Sequence, residues 1–109
     1  MVNLQTVAGN WKLNSDLVTA VNARNVNSVT DARNVIRPAI SRVISSRYSA
    51  NDDTVATVMA LATLRRYSSQ QSQLSSINRK AIDFLITQPG LTRSNIEQVI
   101  TAAAEALSF

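Results

Sequence analysis

Very few residues in this sequence can interrupt a helix. The 109 residues include only two glycines and two prolines, which are Gly9, Gly90, Pro38 and Pro89. A sheet of many strands needs a turn between each pair of strands, and turns usually draw on these residue types. We therefore expect an all-α fold, a compact bundle of four to five helices, in a chain whose length is common for one domain.

Apolar residues at helical spacing mark the first two helices. We expect Ser15 to cap a short helix that continues to about Arg24, and Thr30 or Asp31 to cap the second helix. Pro38 falls inside the second segment. Because proline removes a backbone donor and clashes one turn back, the helix either kinks at Pro38 or a new helix begins there.

The third helical segment has apolar residues on every side. We expect it to begin at Asn51 and Asp52, and its apolar residues from Val55 to Leu64 surround the helix axis. A helix that is apolar all round belongs in the interior of a protein. This pattern predicts that the third helix is the centre of the core.

The last two helical segments are amphipathic. The fourth is expected over residues 71–87, where a Pro-Gly pair then stops it. The fifth is expected to begin at Thr92, or at Ser94 with Glu97 as a capping box. Each has one apolar face at a spacing of 3.6 residues, and such a face must be buried against other helices.

Residues 1–14 contain a partial two-residue alternation of apolar side chains and no helical pattern. We expect them to form a short N-terminal extended arm that precedes a single helical domain, residues 15–109. A segment this short cannot fold alone, so the arm is expected to dock on a neighbouring copy of the chain. The expected self-association residues are Val2, Leu4, Val7 and Trp11.

The sequence contains neither histidine nor cysteine. It therefore lacks the usual general base at neutral pH and the usual ligands of transition metals. The adjacent carboxylates Asp52 and Asp53 point about 100° apart on a helix, which suits a helix N-terminus better than shared acid–base chemistry. We expect no enzymatic activity, no catalytic residue, no cofactor and no bound metal.

The charged residues are unusual in kind and in distribution. The chain has nine arginines but only two lysines and two glutamates, and Ser, Asn, Thr and Gln supply about a third of it. Protein interfaces deplete Lys and Glu and favour Arg. The whole net charge of +4 falls in residues 1–50. This asymmetry indicates an anionic partner, either RNA or DNA.

Arginines supply the candidate contacts to nucleic acid. On an unbroken helix Arg33, Arg37 and Arg47 share one face, where guanidinium groups can contact successive phosphates. Two Arg-Tyr pairs near helix ends suggest stacking of tyrosine on a base. The alternative is that these arginines bind helix-terminal carbonyls and the tyrosines cover the core. The candidate nucleic-acid residues are Arg33, Arg37, Arg47, Tyr48, Arg65, Arg66 and Tyr67.

Two classes of function fit these observations. The first is a non-enzymatic, self-associating helical subunit, such as a coat or nucleocapsid-like protein of a virus or phage, with nucleic acid along its basic side. The second is a small discrete binding module, either a double-stranded RNA binder or an adaptor for another protein. No stretch has the roughly 20 apolar residues of a membrane span. Nor does the N-terminus resemble a secretory signal. We expect a soluble protein, cytoplasmic or within an assembled particle.

Overall fold

The fold is all-α, as the sequence predicts. The computed structural model describes residues 5–6, 9–44, 51–66, 79–88 and 91–108, and within them it has five helices and no strand. An isolated antiparallel bridge joins Gln5 to Trp11. The helices are α1 (Ser15–Val21), α2 (Val29–Val43), α3 (Asp52–Arg66), α4 (described over residues 79–85) and α5 (Ile96–Ala106).

The first helix is capped one residue earlier than expected and is shorter. The side chain of Asn14, not that of Ser15, accepts a hydrogen bond from the backbone N–H of Leu17 at 2.9 Å. The helix ends at Val21, and the left-handed φ of 55° at the following residue, Asn22, stops it before Arg24. Asparagine tolerates this conformation better than most residues, which explains the early end.

The second helix also begins earlier than expected. Ser28, rather than Thr30 or Asp31, caps α2, because its hydroxyl accepts from the backbone N–H of Asp31 at 3.2 Å. The Asp31 carboxylate reaches back to the backbone N–H of Asn27 at 3.1 Å. Asp31 thus supports the cap from inside the first turn and does not itself form it.

Pro38 lies inside one continuous helix and does not separate two. α2 runs through it from Val29 to Val43. Pro38 and Asn34, the residue whose carbonyl loses its helical donor, are both exposed. Water can therefore satisfy that carbonyl, and the break in the hydrogen-bond ladder falls on the outer side of the helix.

The third helix is the centre of the core, as predicted. Residues 54–63 are all buried, and α3 packs against α1, α2 and α5. Two of its three buried threonines bind within the helix: Thr57 Oγ1 donates to the Asp53 carbonyl at 2.7 Å, and Thr63 Oγ1 donates to the Met59 carbonyl at 2.9 Å. Two polar side chains are thereby accommodated in an apolar interior.

The apolar face of α5 is buried as its periodicity predicts. The expected capping box of Ser94 with Glu97 is not formed, since the Glu97 carboxylate binds Arg65 instead. The helix begins at Ile96, after Asn95, and not at Thr92 or Ser94 as expected, although the Thr92 carbonyl accepts from the Ile96 N–H at 3.0 Å. The buried residues of this segment are Ile96, Val99, Ile100, Ala102, Ala103 and Leu107.

The described part of the N-terminal segment packs against the chain itself. Trp11 is 0% exposed, and its backbone N–H donates to Thr57 Oγ1 of α3 at 3.1 Å. Trp11 therefore lies in the chain's own core and not, as the sequence predicted, on a self-association surface. The large apolar face of an indole gains more free energy from burial in a core than from an exposed position on an arm. The other three predicted arm contacts, Val2, Leu4 and Val7, lie outside the described residues.

Candidate nucleic-acid interface

Two arginines of α2 meet one carboxylate at the start of α3. Nε and Nη2 of Arg33 donate to the two carboxylate oxygens of Asp52, at 2.9 and 2.8 Å. Nη2 of Arg37, one turn further along α2, lies 3.6 Å from Asp52 Oδ1. All three side chains are 36–44% exposed. We call Arg33, Arg37 and Asp52 the paired cluster.

The paired cluster favours the charged forms of its members. Hydrogen bonds from Arg33 lower the pKa of Asp52, partial desolvation opposes them, and the charges of Arg33 and Arg37 lower this pKa further. The hydrogen bonds to Asp52 and its negative charge raise the pKa of Arg33. Because Asp52 stays ionised at neutral pH, it cancels one of the two arginine charges.

Two arginines of the predicted row of three lie within the described residues. The structure places Arg33 and Arg37 side by side, as the helical wheel predicts. α2 ends at Val43, before Arg47. Arg47 and the neighbouring Tyr48 lie outside the described residues.

Arg65 is also bound to a carboxylate. Its two terminal nitrogens donate to the carboxylate of Glu97, with Nη2 3.0 Å from Oε1. The bond ties the last turn of α3 to the first turn of α5, and it lowers the pKa of Glu97 against partial desolvation. Arg66 ends α3, but its side chain and Tyr67 lie outside the described residues. The stacking role of the Arg-Tyr pairs stays a prediction.

Arg93 is paired, since it is bound to Asp83 at 3.0 Å. Other cations keep their charge uncompensated. Across the described parts of the chain, by contrast, five exposed cations have no carboxylate within 4.0 Å. These are Lys12, Arg24, Arg42, Arg79 and Lys80.

Three of these five cations belong to two segments that pack together, which sequence reasoning missed. Gly9 packs against the backbone of Lys80, and this contact brings the region of Lys12 to the region of Arg79 and Lys80. No local pattern predicts it, because Lys12 and Lys80 are 68 positions apart. The sequence showed that Gly9 permits a turn but did not show which backbone that turn contacts.

The described residues offer little of the geometry of a small-molecule or metal site. No three Asp or Glu side chains among them cluster as metal ligands would. One open concavity of about 310 Å³ has its described lining residues on α5 alone. No described helix has the length and hydropathy needed to cross a bilayer. The lining residues of the concavity are Glu97, Gln98, Thr101, Ala102 and Glu105.

Comparison with protein-family models, curated proteins and solved structures gave no match to this chain.

Proposed function

We propose that this protein is a non-enzymatic, self-associating helical subunit that binds RNA or DNA through phosphate contacts. The observation that supports nucleic-acid binding is the set of five exposed cations without a carboxylate partner among the described residues. Cations of this kind attract phosphates without first releasing a bound carboxylate. Each such contact releases counterions condensed on the nucleic acid, which provides free energy for binding that does not depend on base sequence.

The arginines that lie against carboxylates have a different role from the uncompensated cations. Four arginines, Arg33, Arg37, Arg65 and Arg93, lie against three carboxylates. A phosphate that approaches them meets a carboxylate as well, so its net attraction is weaker. We assign these arginines mainly to joining helices, and the uncompensated cations to phosphate contact.

Support for self-association comes from the composition of the exposed helix faces. They carry short hydroxyl and amide side chains in place of Lys and Glu, and such side chains lose less conformational entropy when a partner covers them. A coat-like or nucleocapsid-like subunit, which must pack against copies of itself, suits this surface. Examples of these exposed residues are Ser15, Thr19, Thr30, Asn34, Gln98 and Thr101.

Binding to labelled RNA and DNA, measured by fluorescence anisotropy over a series of salt concentrations, tests the nucleic-acid part. Three or four phosphate contacts imply a log–log slope of about −3 on a duplex, from roughly −0.9 for each phosphate. Affinity should vary little with base sequence. Absence of binding at low salt to single and double strands of both nucleic acids would refute this part.

Mass in solution tests the self-association part. Sedimentation velocity over a range of protein concentrations, with and without RNA, should show growth beyond the mass of one chain. A monomer that binds nucleic acid at every concentration would instead identify a discrete binding module. A monomer that binds none would leave both parts of the proposal without support.

A further inference from the structure

A backbone contact fixes the N-terminal turn against α4. Gly9 has a φ of 97°, and a Cβ placed on it would lie 2.5 Å from the carbonyl oxygen of Lys80. Glycine is needed here for two reasons, the positive φ and the missing side chain. The turn is fixed on its other side by Trp11, which is buried and bound to Thr57.

This contact joins the two segments that carry three of the exposed cations. Lys12 directly follows the buried Trp11 and comes three residues after Gly9, while Arg79 and Lys80 belong to the part of α4 that Gly9 touches. All three side chains are exposed. Both lysines of the chain are among them. We call Lys12, Arg79 and Lys80 the unpaired surface.

The charge of the unpaired surface is not compensated by the described residues around it. The nearest carboxylate along α4 is Asp83, three residues after Lys80, and it is bound to Arg93 at 3.0 Å. Three like charges repel one another, and an anion that binds among them removes this repulsion. The fold therefore leaves a place where a polyanion gains electrostatic energy.

The chemistry of the unpaired surface fits a sugar–phosphate backbone. A lysine ammonium is a compact point charge and an arginine can bind phosphate with two hydrogen bonds. The described aromatic side chains are Trp11, which is buried, and Phe84, which is half-buried. Neither is an exposed platform on which a base stacks.

We propose that Lys12, Arg79 and Lys80 form one binding surface for successive phosphates of RNA or DNA, assembled by the contact of Gly9 with Lys80. The inference rests on the proposed nucleic-acid binding and adds the place where it occurs. It differs from the sequence-based expectation, which put the binding face on Arg33, Arg37 and Arg47. Binding then depends on two segments that are far apart in the chain.

Two triple variants of equal net charge test this surface. The first replaces Lys12, Arg79 and Lys80 with glutamine. The control makes the changes Arg33→Gln, Arg37→Gln and Arg65→Gln, which remove the same charge from arginines that lie against carboxylates. The variants are compared with the parent by anisotropy with the same labelled duplex over a salt series. Melting temperatures are measured for all three proteins, and since the replaced residues are exposed or half-exposed, both variants should fold.

We expect the first variant to lose at least tenfold in affinity at low salt and its salt slope to flatten by about 2 to 3, as expected for three lost phosphate contacts. The control should lose less affinity and keep most of the slope. The double variant Lys12→Arg with Lys80→Arg should bind within about twofold of the parent, since charge carries the interaction.

Equal losses in the two triple variants would overturn the unpaired surface and leave nucleic-acid binding in place. A parent protein that binds no nucleic acid would overturn the proposed function and this surface together. Loss of binding in the lysine-to-arginine variant would show that the contact depends on side-chain shape, and would overturn the electrostatic assignment.

Discussion

The paired cluster and the unpaired surface are both basic, yet they present different charge to a partner. In the paired cluster, two arginines share the carboxylate of Asp52, which takes two hydrogen bonds from Arg33. In the unpaired surface, three cations have no carboxylate within 4.0 Å among the described residues. The comparison shows that the number of cations in a region does not measure its attraction for an anion.

The same comparison revises the division of charge between the two halves of the sequence. Counted along the chain, the net charge of +4 belongs to residues 1–50. In the structure, Asp52 of the second half compensates arginines of the first half. Lys80 of the second half lies beside the turn that precedes Lys12. The distribution of charge on the surface is therefore set by packing and not by position in the chain.

The largest expected effect is the loss of both regions at once. Both are attached to α3, through Asp52 in its first turn and through Thr57, which binds Trp11. Leu61 of α3 is 1% exposed. Leu61→Asp places an unpaired carboxylate in the apolar interior, which costs more than about 4 kcal/mol. We expect circular dichroism to show no cooperative thermal transition.

The matched control is Ala20→Asp, which adds the same charge at an exposed position of α1. Its melting temperature should stay within a few degrees of the parent. If Leu61→Asp melted like this control, α3 would not be the element that carries the two regions.

A smaller loss should follow removal of the anchor of the N-terminal turn. Trp11 is fully buried, so Trp11→Ala should reduce the free energy of unfolding by about 3–5 kcal/mol. Urea denaturation measures this change. Leu13→Ala, at a half-buried neighbour, should cost clearly less. An equal loss in the two variants would show that Trp11 is not a special anchor.

The burial of Trp11 also determines what removal of the N-terminal arm should do to stability. Removing residues 1–13 takes Trp11 out of the core as well as any contact that the arm makes with a second copy. We therefore expect the truncated protein to lose stability, whatever happens to its mass in solution.

The contact that assembles the unpaired surface is tested by Gly9→Ala. The new Cβ would lie 2.5 Å from the Lys80 carbonyl oxygen at a φ of 97°. We expect a loss of about 1–3 kcal/mol from backbone strain, together with weaker binding of nucleic acid as the turn moves away from α4. Thermal melting and anisotropy give the two readouts.

Asn22→Ala is the control for Gly9→Ala. It also puts alanine at a positive φ, 55°, but at the end of α1 and outside the contact of Gly9 with Lys80. It should destabilise the fold without weakening nucleic-acid binding. If both variants kept full binding, the contact of Gly9 with Lys80 would not be what positions the cations.

The smallest expected effect is the pH dependence of the paired cluster. The pKa of Asp52 is lowered in the folded protein by hydrogen bonds from Arg33. The stabilisation of the fold by the ionised Asp52 carboxylate is therefore fully present above the ordinary aspartate pKa of about 3.9. It is lost as the pH falls through the lower pKa that Asp52 has in the folded protein. Because Asp52 is half-exposed, Asp52→Asn should lower Tm by only a few degrees at neutral pH.

Melting temperatures of the parent and of Asp52→Asn should converge in acid. Asp53→Asn is the matched control, since Asp53 is exposed and next in the chain but makes no ion pair within the described residues. A Tm difference between Asp52→Asn and the parent that stayed constant from acid to neutral pH would show that the ion pair is not its source.

Most of the fold followed from local sequence patterns. The scarcity of glycine and proline predicted the all-α fold, and the apolar residues on all sides of α3 predicted its burial. Where the patterns failed, the error was small and local: α1 and α2 are capped by Asn14 and Ser28, one to three residues before the expected positions. Several polar residues at a helix start can each supply a cap, and the sequence does not rank them.

The candidate site was much less predictable, for a physical reason. Helix periodicity acts within one or two turns, so the sequence alone determined the helices and their apolar faces. The charge that a cation retains depends on which carboxylate lies beside it, and only packing decides that. Arg33 meets Asp52 across 19 positions and Arg65 meets Glu97 across 32. Tertiary structure alone decided that these arginines are compensated and that Lys12 and Lys80 are not.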